Sequence, residues 1–360
     1  MKYFFTFFFL LTTSLIYSQV NHKKNPQFNA CLINALQGDI TKTLSCIESL
    51  HDSTLSDEQI KFKIQYIDRF KNFSNEFNYN TSDAEILALI SIYREYWNDV
   101  LLKLSSAEDA ETKLSSAVTE YLYEKFFSRK NISKDTIKND FTNYVSQYLE
   151  SRGCFSATGK TAGIYDLLLW KKENPREYKV TLPESEVVVK VVFMQDVITM
   201  GWEDYATLGK YFPGGWATST ELNCVESEYD TTSENFTISY LKHEGQHFAD
   251  YKAFPKLSGC DLEYRAKLVE LAYANESLQN LISFFIKNSK YDRENPHAFA
   301  SYCLIRDMSK KLFNSVGITD IEEWKKISTE KINKTANELL IENTKLLKAA
   351  GADTIENYIK

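Results

Sequence analysis

The segment Tyr240-Leu241-Lys242-His243-Glu244-Gly245-Gln246-His247-Phe248-Ala249 contains the pattern H-E-x-x-H. Residues four apart lie on one face of a helix, so His243 and His247 can direct two imidazoles at one metal ion. Glu244 lies beside them and can hold and deprotonate a metal-bound water. No proline interrupts the segment, and Ser233 is positioned to cap its helix. The pattern therefore predicts a metal site on a helix.

A hydrolytic zinc site uses three protein ligands and keeps a fourth position open for water. The next predicted helix begins at Leu262-Glu263-Tyr264-Arg265-Ala266, and we predict that Glu263 supplies the third ligand to Zn²⁺. The small side chain of Ala266 would let this helix approach the histidine helix closely. Glu270, two turns along the same face, is the first alternative ligand. Asp261, which precedes the helix, is the second.

The developing oxyanion of a hydrolytic reaction needs a donor besides the metal, commonly His, Tyr or Arg. His297 is the downstream histidine that has no other role, and it lies where Pro296 can open a helix. We predict His297 as this donor, with Tyr302 as the alternative. Asp250, three residues after His247, is predicted either to orient a ligand imidazole or to be an ordinary exposed aspartate.

The remaining chain divides into a helical part and a mixed part. Apolar residues recur at steps of three and four between about residues 27 and 152, which predicts a helical bundle without chemistry of its own. Further along, Tyr178 to Leu182 and Val187 to Met194 predict a hairpin, and Trp216 to Val225 predicts a short strand. The later helices are predicted at Ser233 to Tyr251, Leu262 to Lys287, Pro296 to Phe313 and Ile321 to Ala349.

His243 to His247, followed by Glu263-Tyr264-Arg265-Ala266, resembles the gluzincin clan of zinc metallopeptidases. Those proteins have H-E-x-x-H on one helix and a glutamate ligand, often within E-x-x-A, on the next. The resemblance covers roughly residues 187 to 305. It implies a zincin-like catalytic domain in which a small sheet accompanies the active-site helices. It also implies an edge strand that pairs with an extended peptide, for which Gly215 to Cys224 is the best candidate.

Three interpretations of function follow from these residues. The first is a zinc metallopeptidase, in which Glu244 assists the attack of zinc-bound water on a peptide or protein substrate. The second is an exported, non-enzymatic binding module with a retained metal site, although a structural zinc site usually has four protein ligands. The third pairs Glu244-x-x-His247 with Glu294-x-x-His297 as in di-iron bundles, but Pro296 interrupts the second motif.

Composition and charge limit the partners and the location. The 360 residues are 43% hydrophobic and 25% charged, enough apolar material for a sizeable core. Lys and Arg number 42 against 49 Asp and Glu, a net charge of -7, which argues against a nucleic-acid partner. Phe4 to Tyr17 is too short to span a bilayer and is typical of a secretory signal that ends near Ser18. We therefore predict an exported protein, periplasmic or secreted, with no stable membrane anchor.

Six cysteines in an exported chain permit disulfides. Cys31 with Cys46 and Cys224 with Cys260 are the candidate pairs, and separate buried thiols are the alternative.

Together these observations predict an α+β fold in which a helical domain precedes a zincin-like catalytic domain. The predicted segments are a signal peptide at residues 1–18, the helical domain at 19–152, the catalytic domain at 153–315 and a helical tail at 316–360.

Overall fold

The structure, a computed structural model, describes residues 26–74, 79–218 and 221–360. The predicted signal peptide therefore lies outside the described residues. The chain forms two compact units. Of the described residues, the first comprises those up to Asn174 together with Phe193–Trp216, and the second comprises Pro175–Val192 together with those from Ala217 to Lys360. The borders of these units fall within strands, whereas the sequence placed its borders between elements.

The first unit is largely helical, as the apolar periodicity predicted. Its helices are α1 Pro26–Leu36, α2 Ile40–Ser49, α3 Asp57–Lys71, α4 Ala84–Leu101, α5 Ala107–Leu122, α6 Lys134–Asn139, α7 Phe141–Ser151 and α8 Gly201–Ala206. Caps fix several of the helix starts: Ser56 and Gln59 form a reciprocal capping box at α3. The aromatic side chains of Tyr93 and Trp97 are fully buried in the core of this unit.

A disulfide joins α1 to α2 through Cys31 and Cys46, which confirms the first predicted pair. The second predicted pair is wrong, because Cys224 and Cys260 are separate buried thiols. Their sulfurs contact different backbone carbonyls, those of Val225 and Arg293 respectively. The alternative of separate thiols therefore applies to this pair.

The described strands form one five-stranded sheet in the order β1-β2-β3-β5-β4. The strands are β1 Phe155–Thr161, β2 Ile164–Thr181, β3 Glu186–Met200, β4 Gly215–Ala217 and β5 Leu222–Val225. The β2–β3 hairpin confirms the predicted one, with longer strands on both sides. The predicted strand from Trp216 to Val225 is instead two short strands, of which β4 lies at an edge of the sheet.

The β1–β2 hairpin was not predicted from the sequence. Thr161 pairs with Ile164 across a two-residue turn, and both turn residues, Ala162 and Gly163, have positive φ. This geometry is typical of tight hairpins, in which a primed turn matches the twist of the strands.

The second unit carries the later helices. They are α9 Glu234–Thr237, α10 Leu241–Ala253, α11 Gly259–Tyr273, α12 Leu278–Lys287, α13 Pro296–Phe313, α14 Ile321–Lys325 and α15 Thr329–Gly351. Three predicted helices are each divided in two, and Pro296–Phe313 is confirmed as a single helix. Ser233 caps α9 and not the helix that carries H-E-x-x-H. The architecture is thus a mixed α+β fold whose N-terminal part is helical.

Candidate metal centre

Helix α10 places both histidines of the H-E-x-x-H motif in the interior of the second unit. His243 is 3% exposed and His247 2% exposed. One helical turn separates them, and their Nε2 atoms lie 3.1 Å apart. Two buried imidazole nitrogens this close must share either a proton or a cation, because two facing lone pairs repel each other.

Helix α11 brings the carboxylate of Glu263 to the same place. Oε1 lies 3.3 Å from Nε2 of His247, and Oε2 lies 3.6 Å from Nε2 of His243. The ligand atoms of the three residues all fall within 4.8 Å of one another. Tetrahedral zinc with bonds of about 2.0–2.1 Å separates neighbouring ligand atoms by about 3.3 Å. The predicted ligand set is therefore close enough to bind one metal ion.

Glu270, the first alternative for the third ligand, contacts the other nitrogen of the His243 ring. Its Oε1 lies 2.7 Å from Nδ1 of His243, on the opposite side of the imidazole ring from Nε2. A carboxylate there fixes the tautomer and the ring orientation, so that the lone pair of Nε2 faces the other ligands. Asp261 accepts hydrogen bonds from the backbone N–H groups of Tyr358 and Ile359, and it is not a member of the metal-capable group.

Two cationic or protonatable side chains hold the second oxygen of Glu263. Nζ of Lys267 lies 3.2 Å from Oε2, and Nδ1 of His297 lies 2.7 Å from the same atom. Burial alone would raise the pKa of Glu263, but His297, Lys267 and His243 hold that pKa well below its usual range. Oε1 has no hydrogen-bond partner among the described residues, which leaves this oxygen free for a metal ion.

The buried charged groups around His243 and His247 have a net negative charge when both imidazoles are neutral. Burial alone would lower the pKa of His243, but the carboxylates of Glu263 and Glu270 raise it to about 10. When a metal ion replaces the imidazole protons, the buried carboxylates of Glu244, Glu263 and Glu270 carry three negative charges against the one positive charge of Lys267. The difference equals the charge of one divalent cation.

Glu244 is the most exceptional member of the site. It is 1% exposed, and neither carboxylate oxygen has a hydrogen-bond partner among the described residues. An unpaired buried carboxylate costs several kcal/mol (about 3–5 kcal/mol when a partner is removed). Glu244 directly follows His243 on α10, which is a suitable position for a carboxylate that accepts a hydrogen bond from a metal-bound water.

Asp250 has neither of its predicted roles. It is 1% exposed, and its carboxylate accepts hydrogen bonds from Gln246 at 2.9 Å and from Arg265 at 2.8 Å. Arg265 also donates to Asn343 and Thr344 of α15. This buried ion pair fixes α10 against α11 and α15 and so holds the ligands in register.

Gly245 explains how α10 approaches the sheet so closely. A Cβ at this position would lie 3.2 Å from Cγ1 of Val180 and 3.4 Å from Cγ2 of Val187. A glycine in a helix interior costs about 1 kcal/mol relative to alanine. The close approach of β2 and β3 accounts for its presence inside the motif.

The remaining candidates are Tyr302 and the second motif of the di-iron interpretation. The ring of Tyr302 packs against Tyr291 and Phe299. Glu294 is exposed, and the group consists of two imidazoles and one carboxylate, unlike the carboxylate-rich site of a di-iron bundle. Sequence reasoning missed Lys267, for which the spacing of four from Glu263 was the available signal.

No protein-family model, curated protein or solved structure matches this chain. Within the described residues, none of the helices has the length and apolar character needed to cross a bilayer.

Proposed function

We propose that the chain is a zinc-dependent metallopeptidase of the gluzincin type, which hydrolyses peptide bonds in peptide or protein substrates. The observation that carries this proposal is the unpartnered, buried carboxylate of Glu244, which directly follows His243 of the metal-capable group on α10. A structural metal site needs ligands only. A buried general base next to the ligands is a feature that catalysis requires.

The donor set favours zinc among the divalent ions. Two imidazole nitrogens and one carboxylate oxygen are common ligands of catalytic zinc, whereas magnesium and calcium prefer oxygen ligands. Three protein ligands leave a coordination position open for water, and a closed structural site usually has four. The hydrogen bond from His243 to Glu270 gives the site the outer carboxylate that zinc-bound histidines usually have.

The bound ion would supply a Lewis acid that polarises the scissile carbonyl and lowers the pKa of its water to near 7. Glu244 would accept the proton of the attacking water at its carboxylate and pass it to the leaving amine. His297 remains the proposed oxyanion donor through Nε2, because Nδ1 is in contact with Glu263. Its side chain is 35% exposed, and Nε2 itself is buried with no hydrogen-bond partner among the described residues, which leaves this nitrogen a hydrogen bond to donate. Export remains a prediction from residues 1–18.

The proposal is tested by zinc analysis and peptide-library cleavage with the wild type and Glu244→Gln. We expect one zinc per chain in both proteins, cleavage by the wild type, and a loss of cleavage of at least 100-fold in the variant, typical of a removed general base. The matched control is Glu203→Gln, which neutralises a buried carboxylate on α8 in the other unit and should leave cleavage unchanged.

Two outcomes would contradict the proposal. Cleavage by Glu244→Gln at the wild-type rate would exclude Glu244 as the base. Zinc binding by the wild type without cleavage of any library peptide would favour a binding module that retains a metal site.

A further inference from the structure

Lys267 is buried beside the metal-capable group, which is an unusual position for a lysine. It is 4% exposed, and Nζ lies 3.2 Å from Oε2 of Glu263, one turn earlier on α11. Its ammonium group also lies 5.2 Å from the ring centroid of Phe285. Fully buried lysines are rare unless they are paired, so the pairing with Glu263 is the interaction that accounts for this residue.

The contact distinguishes the two oxygens of Glu263. Lys267 and His297 both contact Oε2, whereas Oε1 has no hydrogen-bond partner among the described residues and lies 3.3 Å from Nε2 of His247. Carboxylates can bind a metal through one oxygen or two. With Oε2 occupied by two donors, Oε1 is the oxygen that Glu263 presents to a metal ion.

We propose that Lys267 is a positioning residue that keeps Glu263 a one-oxygen ligand. By holding Oε2, it keeps the number of protein donor atoms at three and preserves the open position that a hydrolytic site needs. Its positive charge also leaves the three buried carboxylates with a net charge that one divalent ion neutralises. The inference rests on the proposed function only through the metal site and does not require that the substrate be a peptide.

The test uses the full-length protein loaded with Co²⁺, whose visible absorption depends on coordination geometry, and compares Lys267→Met with Lys267→Arg. In Lys267→Met, Oε2 of Glu263 loses its ammonium partner and keeps only the contact with His297, so this oxygen can also approach the metal ion. We therefore expect the strong absorption of four-coordinate Co²⁺ to fall to the weaker absorption of a five-coordinate ion. We also expect Lys267→Met to bind Co²⁺ and Zn²⁺ at least about tenfold more tightly than the wild type in a chelator competition, because a nearby positive charge has been removed.

Lys267→Arg keeps the charge and the donor, so it should retain the wild-type spectrum and affinity. Lys63→Met is the matched control, because it removes an ion-paired lysine that contacts Asp52 in the first unit and should change neither quantity. X-ray absorption of the zinc-loaded wild type adds a measurement that does not depend on the folding of a variant. We expect it to report a carboxylate bound through one oxygen.

Three results would overturn the inference: an unchanged spectrum and affinity in folded Lys267→Met, a two-oxygen carboxylate in the wild type, or no metal binding by the wild type. A protein that binds Co²⁺ and shows the expected change, yet cleaves no peptide, would support the inference while the proposed peptidase activity fails. Conversely, peptide cleavage by the wild type together with an unchanged spectrum in Lys267→Met would support the proposed peptidase activity and overturn the inference about Lys267.

Discussion

Removing the carboxylate of Glu270 is expected to weaken zinc binding without removing a ligand. Its Oε1 lies 2.7 Å from Nδ1 of His243, and the residue is 5% exposed. Glu270→Gln keeps an oxygen that can accept the hydrogen bond but loses the charge. Glu270→Leu loses both, which frees the ring of His243 to turn and to change tautomer.

The size of the effect follows from the role of such outer partners. Losing one typically costs 10- to 100-fold in metal affinity. We assign about 10-fold, or about 1.4 kcal/mol, to Glu270→Gln, and about 100-fold, or about 2.7 kcal/mol, to Glu270→Leu. An ion that binds only the folded state stabilises it in proportion to the logarithm of its affinity, so these losses also appear in thermal unfolding.

The assay measures Tm with saturating zinc and with a chelator for each protein, together with a chelator competition for Kd. For a unit of this size, 1 kcal/mol corresponds to about 2–4 °C in Tm. The zinc-induced rise in Tm should therefore shrink by about 3–6 °C in Glu270→Gln and about 5–11 °C in Glu270→Leu. Comparing loaded with metal-free protein removes the effect of each substitution on the apo fold.

The matched control is Glu234→Gln, in the same unit. The carboxylate of Glu234 accepts hydrogen bonds from the backbone N–H groups of Asn275 and Ser277, so this variant loses a structural carboxylate and should keep its zinc affinity. A Kd for Glu270→Leu within about twofold of the wild type would refute the orienting role. Complete loss of binding in Glu270→Leu, with binding retained in Glu263→Leu, would instead make Glu270 the third ligand.

Two further predictions concern the scaffold. Burial raises the pKa of Asp166 from 3.8 to about 7. Between these two pH values the folded protein holds a proton on Asp166 that the unfolded chain releases. The free energy of unfolding should therefore fall by up to about 1.4 kcal/mol per pH unit as pH rises from about 4 to about 7. Urea unfolding of the wild type and Asp166→Asn at pH 5 and pH 7 checks this, and equal pH dependence in both proteins would contradict it. Gly245→Leu should destabilise the protein by about 1–3 kcal/mol through overpacking against Val180 and should lower zinc affinity. An unchanged urea midpoint would show that α10 can shift away from the sheet.

The sequence predicted the local features correctly because they depend on spacing along the chain. The separation of four between His243 and His247 is one helical turn wherever the helix lies, and Glu263 follows on the next helix. The helical periodicity up to residue 152 and the β2–β3 hairpin were predicted on the same basis. The breaks within the later helices were not, since no proline or glycine lies at residues 238–240.

Other features of the site depend on how separate segments pack. Helix propensity alone cannot decide whether Glu263 or Glu270 faces Nε2, because both lie on α11 and the choice depends on the depth and rotation at which α11 meets α10. Packing likewise pairs Asp250 with Arg265 and leaves Cys224 and Cys260 as separate thiols.

The sequence by itself therefore determined the donor types, their spacing and the mixed α+β class. Only the tertiary structure decided which oxygen of Glu263 is free and which side chain orients His243. It also placed the charge of Lys267 in the interior, where low polarity strengthens every one of these interactions. The physical reason is that spacing along a helix fixes relative position within one element, whereas a metal site is defined by distances between elements.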